Sequence, residues 1–119
     1  MSMEIDWDID ILYPEEDFTG LYRKAILSIV TEAGFIPVED VLFPTTPIEA
    51  YISTRTTSFS APRAMAEMLH QIAVSIPCKV IADQYCNYAE AHREVFIGNR
   101  VIRFHPHVVW EEYETEELD

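Results

Sequence analysis

The sequence predicts an α+β domain in which amphipathic helices cover one face of a mostly antiparallel sheet. Three observations lead there. Residues 4 to 13 alternate acid and apolar, the period of a half-buried strand. Two later segments carry apolar residues at helical spacing. A Gly-Asn pair near residue 98 separates two apolar runs, the mark of a hairpin.

The first strand comes from Glu-Ile-Asp-Trp-Asp-Ile-Asp-Ile-Leu-Tyr. Ile5, Trp7, Ile9 and Ile11 face a core, and Glu4, Asp6, Asp8 and Asp10 form a row of carboxylates on the other side. Pro14 closes the run. Glu15, Glu16 and Asp17 suit a helix N-terminus, where acids meet the positive end of the dipole. The stripe Phe18, Leu21, Tyr22, Ala25, Ile26, Ile29, Val30 and Ala33 follows, with Gly34 as the stop. Pro37, Pro44 and Pro47 make residues 35 to 47 a loop. Residues 48 to 55 read as a strand. A second helix spans about Ala61 to Ser75, with Pro62 in its first turn and Met65, Met68, Leu69, Ile72, Ala73 and Ile76 as its apolar face. Residues 78 to 85 are a further strand, and Cys86 to Ala91 fit either loop or short helix.

Gly98-Asn99 then fixes a register: Ile97 faces Arg100, Phe96 faces Val101, Val95 faces Ile102 and Glu94 faces Arg103. The strand continues toward Trp110 with a break at Pro106. These elements suit a roughly four-stranded sheet with both helices on one side, a ferredoxin-like variant. Residues 1–110 form one domain, and 111–119 an acidic C-terminal tail, either disordered or ordered by a partner.

The net charge is −13, from 21 acids and 8 bases. Residues 1 to 20 hold seven acids and no base, and residues 111 to 119 hold six and no base, so the two terminal segments carry the whole excess. Direct binding to nucleic acid or to an anionic membrane is disfavoured, because both need basic patches. With no membrane-length apolar run and no secretory signal pattern, the cytoplasm is the expected compartment. Cys78 and Cys86 read as free thiols.

Side chains with chemical potential are few. In the hairpin register His92 lies opposite His105, with His107 two residues on, a spacing that suits Zn²⁺ only if further ligands join. A Cys–His pair from Cys78 or Cys86 with His92 has no accompanying motif. Three glycines make no phosphate-cradling loop. The chain is therefore read as non-catalytic and without a cofactor. Its expected role is an acidic protein that binds and inhibits a basic partner, a nucleic-acid-binding protein or nuclease, in the manner of nucleic-acid mimics, anti-restriction or anti-CRISPR proteins and toxin-immunity proteins. Glu4, Asp6, Asp8, Asp10, Glu111, Glu112, Tyr113, Glu114, Glu116 and Glu117 are the expected contact residues. The alternative is an accessory subunit, such as a homodimer, whose acids only solvate its outer face.

Overall fold

Trp7 and its three isoleucine neighbours decide which face of the sheet is covered. Ile5, Trp7, Ile9 and Ile11 are all at most 3% exposed, while the alternating acids between them reach solvent. The computed structural model describes residues 4–15, 20–34, 41–42, 49–57, 60–86, 91–105 and 111–118. Its strands are β1 (Ile5–Leu12), β2 (Val41–Leu42), β3 (Glu49–Thr56), β4 (Lys79–Cys86), β5 (His92–Ile97), β6 (Arg100–His105) and β7 (Glu111–Glu117). The helices are α1 (Leu21–Glu32) and α2 (Ala61–Ser75).

All seven strands join one antiparallel sheet in the order β2-β3-β1-β4-β5-β6-β7. This corrects the expectation of a four-stranded ferredoxin-like sheet. Six strands have six or more residues, and β2 adds a two-residue ladder. The extra width lies beyond β4, in the β5–β6 hairpin and β7; the second helix reaches over β5 and β6, whose Phe96 and Val101 join its core. β7 is built from the acidic terminal segment. Glutamate is a poor strand former, but here Arg100 and Arg103 of β6 supply cross-strand partners.

Both helices pack on the Trp7 side. Ile26 and Val30 of α1 and Met65, Met68, Leu69, Ile72 and Ala73 of α2 form one core with the inward residues of β1, β3 and β4, joined by Phe96 and Val101. Trp7 Nε1–H donates to Thr56 Oγ1 at 2.9 Å, so the indole's polar edge is satisfied within the core layer. α1 starts at Leu21 rather than at the acids of residues 15 to 17, with Gly20 in the left-handed region (φ 72°) as its N-cap. Gly34 ends it at φ 91°, which an L-residue adopts only with strain. Phe18 and residues 35 to 40 lie outside the described residues.

The hairpin has the register its turn predicts, with Ile97 opposite Arg100 and Glu94 opposite Arg103. Gly98 has φ 56° and Asn99 does not share a positive φ, the pattern of a two-residue turn with glycine first. Among the described residues no helix is long and apolar enough to cross a membrane.

Candidate functional site

Because β1 turns its apolar residues to the helices, its acids line the opposite, open face of the sheet. β1 lies between β3 and β4, so each acid has a neighbour on both sides. Asp6 lies between Arg55 and Tyr85, Asp8 between Ser53 and Asp83, and Asp10 between Tyr51 and Ile81. Tyr85 is 44% exposed.

These neighbours alter the charge row. Arg55 grips Asp6 with two hydrogen bonds, Nε to Oδ1 at 2.7 Å and a terminal nitrogen to Oδ2 at 3.2 Å, and lies 3.9 Å from Glu4. The Arg55 hydrogen bond holds the Asp6 carboxyl below the usual carboxylate range. The Tyr51 hydroxyl donates to Asp8 Oδ1 at 2.6 Å, and that bond raises the phenol's pKa, since deprotonation would set two anions together. Asp83 stands directly opposite Asp8, a repulsive placement. Arg93 offsets it from the next strand, donating to both Asp83 oxygens at 2.6 and 2.8 Å. Burial, then the charges of Asp83 and Asp8, push the Tyr85 phenol up. The result is a strip of carboxylates bordered by phenols and anchored by two arginines.

The β7 acids do not join this strip. Four strand spacings separate β1 from β7, roughly 19 Å. β7 also divides its residues between the faces. Glu112 and Glu117 lie on the open face, paired in register with Phe104 and Arg100. The register shift between Arg103 and Phe104 turns Tyr113 and Glu114 together to the helix side, with Glu116. There Arg103 donates to Glu114 at 2.8 Å and to Glu116 at 2.7 Å. Glu111 belongs to β7, and its side chain is outside what is described. The two acidic termini therefore form no single pole.

Tyr113 organises the histidines on the helix side. Its ring stacks on His105 at 3.9 Å and lies 6.0 Å from His92. His107 is outside the described residues. Among the described residues no three His, Cys, Asp or Glu side chains converge to hold a metal ion. A polar cavity of about 620 Å³ opens nearby between α2 and β5–β7. Its charged groups are committed to one another: Arg63 to Glu67, Arg103 to Glu94 and Glu116.

No family model, curated protein or solved structure matches the chain. The functional reading therefore rests on the geometry.

Tyr51, Arg55, Tyr85 and Arg93 are not singled out by the sequence, and Asp83, which there could only orient His92 in a Cys–His pair, lies instead opposite Asp8 and in the grip of Arg93. The alternation of residues 80 to 85 does carry the signal for Asp83 and Tyr85, because Val80 and Ala82 point inward and the residues between them point out. Their position beside the β1 acids depends on a register that no local motif encodes.

Proposed function

We propose that the protein is a non-catalytic binding protein that docks a basic partner protein on the open face of its sheet. The observation that carries this reading is the β1 row: Asp6, Asp8 and Asp10 run along an inner strand, on the face opposite both helices, with the exposed Tyr85 beside them. Carboxylates steer a cationic surface into place, and tyrosine provides contact area at low entropic cost. The groups present are carboxylates, phenols and guanidiniums joined by hydrogen bonds, an arrangement suited to recognition. A nucleic-acid-binding protein or nuclease exposes the kind of Lys/Arg surface such a strip would occupy, and occupation would inhibit it. Of the expected contact residues, Glu4, Asp6, Asp8, Asp10, Glu112 and Glu117 belong to this reading. Tyr113, Glu114 and Glu116 serve instead to fasten β7.

The test compares the wild type with Asp6→Asn/Asp8→Asn/Asp10→Asn, each immobilised and exposed to lysate at low salt, about 50 mM, where screening is weak. The expected result is a basic protein retained by the wild type, released as salt rises several-fold, and lost on the variant. Equal retention by a folded variant contradicts the proposal.

A further inference from the structure

The open face carries more than acids. Reading across the register from Asp10, the next three residues are Ile81 on β4, Val95 on β5 and Ile102 on β6. Leu12 and Ile97 extend this patch on one side, and Phe104 on the other. Val95 is only 5% exposed yet lies outside the helix-side core cluster, so its burial comes from this second face. Ile97 is 45% exposed. An antiparallel sheet with one solvated face normally alternates apolar with polar. Here β4 to β6 place apolar residues on both faces.

The strip has a definite width and definite borders. From β4 to β6 is two strand spacings, roughly 10 Å. That is about the diameter of one α-helix with its side chains. β1 and β7 each lie two strands from β5, one on either side. On one flank stand Asp6, Asp8 and Asp10, and on the other Glu112 and Glu117. At the Leu12–Ile97 end the strip gives way to an apolar cavity of about 500 Å³ at the end of the sheet, lined by Leu12 and Ile97 together with Tyr13, Ala73 and Cys78 of the helix side. The only cations in or beside the strip among the described residues, apart from Lys79, are in ion pairs: Arg93 with Asp83, Arg100 with Glu117 and Arg55 with Asp6.

We infer that this strip is the seat of an amphipathic α-helix of the partner, laid along β5. Its apolar stripe covers Ile81, Val95, Ile102 and Phe104, and Lys or Arg on both shoulders reach the acids of β1 and β7. The inference rests on the proposed binding of a basic partner and specifies the element that binds. It also sets acids from both terminal segments, those of β1 and Glu112 and Glu117 of β7, as rails on either side of one trough. A second copy of this chain fits less well, because it would set acid rails against acid rails.

The probe is a synthetic Leu/Lys peptide of about four turns, roughly 14 residues, with one apolar stripe and lysines on both shoulders. A scramble of identical composition without helical periodicity is the control. Binding is measured at low salt to the wild type, to Ile97→Thr/Ile102→Thr, which keeps β-branched residues in the strands, and to the Asp6→Asn/Asp8→Asn/Asp10→Asn variant. The patterned peptide should bind the wild type at least tenfold more tightly than the scramble. The threonine variant should lose that preference while retaining the weak binding of the scramble. The asparagine variant should weaken both. If both peptides bind the wild type equally and the asparagine variant weakens both, the helical seat is wrong and the acidic docking reading stands. If neither peptide binds, both fail. A wild-type dimer in sedimentation that the threonine variant turns to monomer assigns the strip to a second copy and overturns the inference.

Discussion

Replacing Arg103 by methionine should cost about 2–3 kcal/mol of stability, because one guanidinium ties three carboxylates and joins β7 to the sheet. The Arg103 side chain is 23% exposed and contacts Glu94 at 3.1 Å, Glu114 at 2.8 Å and Glu116 at 2.7 Å. Burial alone would lower its pKa, but the hydrogen bond to Glu116 and the charges of Glu94 and Glu114 together hold it above the ordinary arginine value. Methionine keeps most of the aliphatic stem and deletes the charge. The magnitude follows from the exposures of the partners. Glu114 and Glu116 are 48% and 49% exposed and can rehydrate, so each loss resembles a surface pair, about 0–1 kcal/mol. Glu94 is 15% exposed and stays largely shielded, so its loss approaches the roughly 3–5 kcal/mol of a broken buried pair without reaching it. For a chain of this size the total lowers Tm by roughly 8–12 °C. Urea unfolding followed by circular dichroism measures it. Adding Glu94→Gln to Arg103→Met should recover a substantial part, since glutamine needs no countercharge. A single variant within about 0.5 kcal/mol of the wild type would refute the role given to Arg103.

Three further outcomes follow from the same structure. Gly98→Ala should destabilise by about 1–2 kcal/mol in urea unfolding, because φ 56° is costly for an L-residue; an unchanged midpoint would contradict the turn geometry. Trp7→Phe should lose the bond to Thr56 and some volume, costing about 1–2 kcal/mol, whereas Trp7→Ala should cost about 3–5 kcal/mol; similar losses for the two would mean the ring is not packed as described. Burial pushes the Cys78 thiol up to about 11, so the folded state favours the protonated form. That contribution is fully present below the unfolded thiol pKa, roughly 8.5, and is lost as pH rises toward about 11. In a thiol-reagent titration at pH 8 Cys78 of the folded protein should react slowly, and rapid labelling there would contradict its burial.

The local order of this chain is legible where one physical constraint dominates. The alternation of Ile5, Trp7, Ile9 and Ile11 identifies the buried face of β1, since a slip by one residue would bury the three aspartates of the strand. The apolar spacing in α2 picks out Met65, Met68, Leu69, Ile72 and Ala73, all buried. Gly98-Asn99 fixes the β5–β6 register, and the 3.1 Å contact of Arg103 with Glu94 lies where that register puts it. The extent of the sheet is not legible, because strand pairing is a matter of distant partners. Glu111–Glu117 becomes a strand only because Arg100 and Arg103 stand beside it, and Val41–Leu42 only because β3 does. The same reason hides half of the candidate site. The acids of β1 are local in sequence, whereas Asp83, Tyr51 and Arg93 reach them through two separate strand pairings.

The most direct test of the account is where a simple cation lands on the protein. Titrating ¹⁵N-labelled protein with an oligolysine at low salt and following amide shifts maps the contact without knowledge of the natural partner. The largest shifts are expected on β1 around Asp6, Asp8 and Asp10 and on β4 around Asp83 and Tyr85, all reversed by added salt. Shifts confined to α2 and the helix side of β7, with β1 unmoved, would contradict it.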